Sequence, residues 1–131
     1  MSCNSCKVTA RPRILIVDDE APVRQTLALA LASFADVIVA ASAVEALARL
    51  AHEPCDVVLT DYGMSGEDGC WLLEAVRAKH PRAKRLLMSG SCPTVSVGID
   101  ETVQAMLQKP FAEAEVSAAL HAVGCLEPQT G

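Results

Sequence analysis

Five polar residues of this 131-residue sequence each stand where a short apolar run ends: Asp18, Asp19, Asp61, Ser89 and Lys109. The carboxyl ends of parallel strands converge on the crevice where open α/β sheets bind ligands, so we expect these side chains to lie together. Three carboxylates at close quarters repel one another unless a cation compensates their charge. Mg²⁺ is the natural cation, because it takes oxygen ligands and keeps several of its waters.

These residue types suit phosphoryl transfer. A carboxylate can act as a nucleophile toward phosphorus, which gives an aspartyl phosphate. A metal ion neutralises the charge that develops during such a transfer, and a lysine can pair with the phosphoryl oxygens. A nearby serine hydroxyl can then hydrogen bond to the attached phosphoryl group. The five residues therefore predict Mg²⁺-dependent phosphorylation of a carboxylate at one edge of a sheet.

Strand-like and helix-like runs alternate along the chain, which predicts an α/β fold, a doubly wound parallel sheet with helices on both faces. Five runs are predicted to be strands: Arg13–Val17, Asp36–Ala41, Asp56–Thr60, Arg85–Met88 and Ala105–Gln108. The first and third are almost continuously apolar, as expected for parallel strands that are buried on both sides.

The helices carry boundary signals and apolar faces. Pro22 sits where a first helical turn tolerates proline, and Ser42 with Glu45 forms a capping-box pattern. A last helix is predicted near 112–123. The predicted inward faces are, in chain order, Val23, Leu27, Leu31 and Phe34; Val44, Leu47, Ala48 and Ala51; Leu72, Leu73 and Val76; and Val116, Leu120 and Val123.

Five successive motifs resemble the signatures of response-regulator receiver domains, the CheY-like superfamily of two-component and phosphorelay signalling: Ile14–Glu20 (ILIVDDE), Leu59–Met64 (LTDYGM), Asp68-Gly69, Met88-Ser89-Gly90 and Gln108–Phe111 (QKPF). The resemblance runs from about Arg13 to Val123. It implies a five-stranded, flavodoxin-like sheet in the order 2-1-3-4-5, an order that receiver domains share with flavodoxin.

The resemblance also implies how the acidic residues act. Asp61 is similar to the phosphoacceptor, which takes its phosphoryl group from a sensor histidine kinase or a histidine phosphotransfer protein. Asp19 and Asp61, with the backbone carbonyl of Gly63, would bind Mg²⁺. Asp18 would act through bound water.

Two further residues match the family's switching apparatus. Ser89 is similar to the switch hydroxyl and Lys109 to the lysine that pairs with the phosphate. Phosphorylation would then shift an inactive–active equilibrium and switch a downstream protein target.

The sequence departs from the family's pattern in the region that would respond. The aromatic switch position, three residues before the lysine, is occupied by Met106, which is flexible and apolar. Ser65 replaces a proline that is common in the loop after the phosphoacceptor. The segment Ser91–Gln104 carries Pro, Gly and β-branched residues, which disfavour helix. The fourth helix, between the fourth and fifth strands, is therefore predicted to be short or irregular, and we expect this segment to reorder on phosphorylation.

Composition narrows the range of partners. The formal net charge is −5, and the closest approach to a basic cluster is Lys79–Arg85. Direct nucleic-acid binding is therefore not expected. No apolar run reaches membrane-spanning length, and Met1–Lys7 lacks the apolar core of a signal peptide. No membrane contact and a cytoplasmic location are the default expectations.

The six cysteines share no spacing pattern that indicates disulfides, and four of them are expected to be buried free thiols. Cys3 and Cys6 have the spacing of a metal-binding pair. A structural zinc site needs four ligands, however, and the sequence has no second pair. We therefore assign both residues to a flexible tail, and zinc bridging between two chains is the less favoured alternative.

The predicted organisation is a flexible N-terminal tail (1–11), a receiver domain (12–126) and a C-terminal tail (127–131). No enzymatic activity is expected beyond self-phosphorylation and autodephosphorylation. Two alternatives remain open: a degenerate receiver that interacts without phosphorylation, and, less favoured, a Mg²⁺-dependent phosphohydrolase with Asp61 as nucleophile. Such hydrolases usually carry a second acid two residues after the nucleophile, where this chain has Gly63.

Overall fold

Five parallel strands form one sheet in the order β2-β1-β3-β4-β5. The structure, a computed structural model, describes residues 12–64, 66–89, 101–108 and 113–122. The strands are β1 (Arg13–Val17), β2 (Asp36–Ala40), β3 (Val57–Asp61), β4 (Lys84–Ser89) and β5 (Ala105–Gln108). Every neighbouring pair is parallel. The predicted doubly wound sheet and its strand order are therefore confirmed.

Four helices lie within the described residues: α1 (Ala21–Leu31), α2 (Ala43–His52), α3 (Gly69–Lys79) and α4 (Glu113–Ala122). Buried residues of α1 and α4 pack on one face of the sheet, and those of α2 and α3 pack on the other. Most of the Ser91–Gln104 segment, which was predicted to hold a short or irregular helix, lies outside the described residues. Its residues 101–104 are described and are not helical.

The central strands are buried on both faces because their side chains alternate between two hydrophobic clusters. In β1, Ile14 and Ile16 pack with α1 and α4, whereas Leu15 and Val17 pack with α2 and α3. All four side chains have no exposed surface. A continuously apolar run is thus the sequence signature of a strand that faces two helical layers.

The capping-box pattern at the start of α2 is confirmed, with one difference in its reciprocal contact. Ser42 Oγ accepts a hydrogen bond from the backbone N–H of Glu45 at 3.1 Å. In return, Glu45 Oε1 accepts from the N–H of Ala41 at 2.8 Å, one residue before the cap. The N–H of Glu45 is one of the first-turn donors that the helix itself leaves unpaired, and the N–H of Ala41 lies just before the helix.

The predicted inward faces of α1, α3 and α4 agree with the burial of their described residues. Six of these residues are at most 1% exposed: Leu31, Leu72, Leu73, Val76, Val116 and Leu120. Leu27 is 8% exposed, and Val23 and Phe34 are partly buried against the same cluster. Val123 lies outside the described residues. In these three helices, the helical spacing of large apolar residues was sufficient to predict the buried face.

The predicted face of α2 is wrong, apart from Leu47, which is partly buried. Val44 is 67% exposed, and the buried residues are instead Ala43, Ala46 and Leu50. Both sets have helical spacing on this alanine-rich segment, so periodicity does not distinguish them. The two small alanines let the helix approach the sheet closely while Leu50 fills the core.

Two expectations about the wider chain concern membranes and cysteines. In the parts of the chain that the structure describes, none of the helices has both the length and the apolar character needed to cross a membrane. Cys55 and Cys70 are not in disulfides, as expected, but they are half-buried rather than buried. The other cysteines lie outside the described residues.

Replacing Ser42 with alanine tests the α2 cap. Because the Glu45 N–H loses its acceptor, we expect Ser42→Ala to lower the free energy of unfolding by about 1 kcal/mol in urea denaturation. Thr26→Ala, on the exposed face of α1, is the control and should not lower it, since alanine favours helix more than threonine. Equal effects of the two substitutions would contradict the capping role.

Thiol chemistry tests the burial of Cys55. Burial raises the pKa of this thiol to about 11, so little thiolate forms near neutral pH. We expect iodoacetamide at about pH 8 to alkylate Cys55 at least about tenfold more slowly in the folded protein than in urea, as followed by peptide mass spectrometry. Equal rates in the two states would show that the thiol is not protected.

Candidate phosphorylation and metal site

Three carboxylates meet at the carboxyl ends of the two central strands. Asp18 and Asp19 directly follow β1, and Asp61 is the last residue of β3. The two strands are neighbours, and Val17 pairs with Thr60, so the acidic residues of both strands leave the sheet side by side. Each aspartate offers one oxygen, and these oxygens lie within 4.8 Å of one another.

The β1–α1 turn holds Asp18 by both its backbone and its side chain. The carboxylate is fully buried, and Oδ1 accepts a hydrogen bond from the N–H of Glu20 at 2.9 Å. The backbone N–H donates to Ala40 of β2, and the backbone carbonyl accepts from Nη1 of Arg24 at 2.6 Å. Arg24 therefore fixes the turn and also brings a positive charge to the acidic end of the sheet.

Asp61 is positioned by the turn that leads into α3. Tyr62, the next residue, donates its N–H to Met88 of β4, and its carbonyl accepts from the N–H of Gly69 at 2.9 Å. Asp68 caps α3 by accepting from the N–H of Trp71 at 2.8 Å. The start of α3 is thereby joined to the residue that directly follows Asp61.

Gly69, the first residue of α3, packs directly against the backbone of Asp61. A Cβ atom at this position would collide with the backbone oxygen of Asp61 and would lie 2.9 Å from Cδ1 of Leu87. Only glycine lets the first turn of the helix pack directly on the strand end. The sequence motif contained this residue, but its role became visible only from the packing.

The remaining predicted site residues differ in how far the structure describes them. Ser89 is the last residue of β4, one position beyond Met88, which pairs with Asp61. Gly63 is exposed, and its surroundings are open. Lys109 lies outside the described residues, and β5 ends at the residue before it.

The acidic cluster fits a magnesium ion. Its donors are all carboxylate oxygens, the ligand type that Mg²⁺ prefers over nitrogen or sulfur ligands. Two ligands of an octahedral Mg²⁺ are about 3 to 4 Å apart, close to the spacing of the three carboxylates. Nearby Arg24 compensates only part of their negative charge, so a divalent cation would relieve the remaining repulsion.

Comparison with known proteins decides the family. The model of the response regulator receiver domain matches residues 14–121. The chain belongs to the receiver domain family of response regulators. It is a receiver domain of two-component signalling, and all the elements described above lie within or at the edge of the matched range.

The curated proteins that are similar to this receiver are longer regulators. It is 32% identical over 109 residues to the C4-dicarboxylate transport transcriptional regulatory protein DctD of Rhizobium meliloti, covering 80% of this chain and 24% of that protein. It is 35% identical over 107 residues to the response regulator protein FleR of Pseudomonas aeruginosa, covering 76% and 22%. The chain thus spans about a quarter of the length of these relatives.

The fold is also that of solved receivers. The chemotaxis response regulator CheY4 of Vibrio cholerae superposes with a TM-score of 0.78 at 25% sequence identity, over 87% of this chain and 99% of that one. Receiver domains bind Mg²⁺ through an acidic cluster, and Asp18, Asp19 and Asp61 form such a cluster here.

Replacing Gly69 with alanine tests how tightly α3 packs on Asp61. We expect Gly69→Ala to lower the free energy of unfolding by about 1–3 kcal/mol, the usual cost of overpacking, and to weaken Mg²⁺ binding in calorimetric titration because the strand end must shift. Glu74→Ala, on the exposed face of the same helix, is the matched control, since it changes no contact with the strand end. A Gly69→Ala protein with unchanged stability and metal affinity would refute the tight contact.

Proposed function

We propose that this receiver is a phosphoacceptor that is phosphorylated on Asp61 in a Mg²⁺-dependent reaction and then switches a protein partner. The observation that supports this most directly is the meeting of three carboxylates from two adjacent strands within 4.8 Å. A purely structural receiver has no need for such repulsion at the ends of its two buried strands.

The chemistry follows from the side chains at this edge. A carboxylate oxygen of Asp61 attacks the phosphorus of a phosphohistidine or of a small acyl phosphate. The new P–O bond forms as the bond from phosphorus to the donor breaks, and the leaving group departs with its electron pair and takes up a proton. Bound Mg²⁺ would neutralise charge on the phosphoryl oxygens during this transfer.

The other residues of the site hold the reacting groups in place. Asp19 would ligate the metal together with Asp61 and the backbone carbonyl of Gly63, and buried Asp18 would act through a metal-bound water. Ser89, at the end of the adjacent strand, would hydrogen bond to the phosphoryl group.

A cationic side chain completes the proposed apparatus. Lys109 follows directly after β5, the strand beside the one that carries Ser89. Its ammonium group would pair with the phosphoryl oxygens and offset their added negative charge.

The proposed partners follow from the family and from the length of its members. A sensor histidine kinase or a histidine phosphotransfer protein supplies the phosphoryl group, and a downstream protein reads the phosphorylated state. The named activities of DctD and FleR are not assigned to this chain, which spans only about a quarter of each. The domain limits of 12–126 and the cytoplasmic location stay predictions.

Mass spectrometry after incubation with acetyl phosphate and MgCl₂ tests the proposal. We expect the mass of one added phosphoryl group, which disappears when EDTA removes the metal and is absent in Asp61→Asn. Asp68→Asn is the matched control and should be phosphorylated normally, because asparagine also caps a helix.

The same experiment separates the alternatives. Absence of an adduct with both acetyl phosphate and a phosphorylated histidine protein would favour the degenerate receiver. Multiple turnovers of a phosphate ester without any stable adduct would favour the phosphohydrolase.

A further inference from the structure

Two arginines from different elements bind the same two residues just before β5. Arg77 of α3 binds their side chains: Nη2 contacts Oε1 of Glu101 at 2.5 Å, and Nη1 donates to Oγ1 of Thr102 at 3.2 Å. Arg85 of β4 binds their backbone: Nη2 donates to the carbonyl of Glu101 at 2.7 Å, and Nε donates to that of Thr102 at 2.9 Å. We call residues Glu101–Gln104 the β5 leader.

Arg85 anchors the leader to the sheet from inside. The residue is only 5% exposed, and its Nη1 also donates to the carbonyl of Ala83 at 2.9 Å. Its backbone exchanges hydrogen bonds with Gln104, whose Oε1 accepts from the N–H of Arg85 and whose N–H donates to the carbonyl of Arg85, both at 2.9 Å. Burial, together with the charge of Arg77, lowers the pKa of Arg85.

Arg77 attaches the leader to α3 at the surface. Its ion pair with Glu101 joins two side chains that are 48% and 82% exposed. Such a contact contributes little to overall stability, but it joins two elements that are otherwise separated in sequence. The β5 leader is therefore bound at two places, by Arg85 of the sheet and by Arg77 of α3.

The opposite end of α3 is packed on the candidate phosphoacceptor. Gly69 lies directly against the backbone oxygen of Asp61, with no space for a Cβ atom. Arg77 lies eight residues further along the same helix, about 12 Å away at a rise of 1.5 Å per residue. Between them, Leu72, Leu73 and Val76 are completely buried, so α3 is a stiff element that contacts Asp61 at one end and the leader at the other.

We infer that α3 links the phosphorylation state of Asp61 to the docking of the β5 leader, through Gly69 at its start and Arg77 near its end. The inference rests on the proposed function and specifies its regulation. Phosphorylation replaces the single negative charge of the carboxylate with nearly two and adds three acceptor oxygens beside a backbone that α3 contacts without free space. When that backbone shifts, α3 moves with it. Because Arg77 binds the side chains of Glu101 and Thr102, the movement of α3 also displaces these two residues.

This link supplies an output that needs no aromatic switch residue. Met106 occupies that position and is only partly buried against the α2–α3 side of the core. The coupling must also be reciprocal, since whatever favours the docked leader favours the same state of Asp61.

Hydrogen exchange of the Gln104 amide, which donates to Arg85, is the test. Exchange is compared by NMR in the whole chain with MgCl₂ alone and with MgCl₂ plus beryllofluoride, and phosphorylation is followed separately by mass spectrometry with acetyl phosphate. We expect beryllofluoride to change the exchange rate of this amide at least about fivefold, the lower range of allosteric coupling. In Arg77→Glu the change should vanish while phosphorylation by acetyl phosphate persists.

Two further variants show whether the effect belongs to this ion pair. The double variant Arg77→Glu with Glu101→Arg should restore the response. Arg49→Ala, which removes an exposed arginine that pairs with Glu45 and Glu53 on α2, should leave it unchanged.

The outcomes separate the two proposals. A phosphorylated wild-type protein with unchanged Gln104 exchange overturns the link alone, as does a full response in Arg77→Glu. No phosphorylation of the wild type by any donor overturns the proposed function, and with it the inference that rests on it.

Discussion

The mutual repulsion of three carboxylates is the constraint on which the rest of this structure depends. Like charges within 4.8 Å of one another disfavour folding, most of all at Asp18, whose carboxylate is fully buried and least screened by water. The fold tolerates them because they stand at the ends of β1 and β3, the two strands with the most complete burial on both faces. Their backbone cannot separate without breaking the centre of the sheet.

The elements around these strand ends restrict the acidic residues further. Arg24 of α1 binds the carbonyl of Asp18, and the first turn of α3 lies on the carbonyl of Asp61 with only a glycine between them. Both contacts act on the backbone, and the side chain of Asp18 also accepts a hydrogen bond from the N–H of Glu20. Under the proposed function, a bound divalent cation would relieve the repulsion among the three carboxylates.

A second group of polar contacts lies at the amino-terminal ends of β4 and β5, away from the acidic site. The guanidinium group of Arg85 is buried, and within the described residues it binds backbone carbonyls rather than a carboxylate. A buried charge is tolerated only when its hydrogen-bonding groups are satisfied. Removing this side chain would leave several carbonyls unpaired, so the leader before β5 and the turn before β4 depend on one residue. Helix α3 connects this region to the acidic site.

Local sequence determined the parts of this protein that depend on near neighbours. Continuous apolar runs that end in Asp18 and Asp61 indicate buried parallel strands and a polar edge, and the alternation with helices leaves few ways to join them. Spacing of large apolar residues predicted the inner faces of α1 and α3. The capping of α2 was also predictable, because Ser42 and Glu45 are only three residues apart.

Tertiary structure alone decided what depends on residues far apart in the chain. The face that α2 turns to the core was undetermined, since its alanines form more than one apolar stripe and only the space above the sheet selects among them. Arg85 looked like the polar start of a strand, yet it is buried because Glu101 and Thr102, 16 and 17 residues later, supply its acceptors. The sequence by itself thus determined which groups stand at the strand ends. Only packing between distant elements decided which of these groups are fixed in place and which residues fix them.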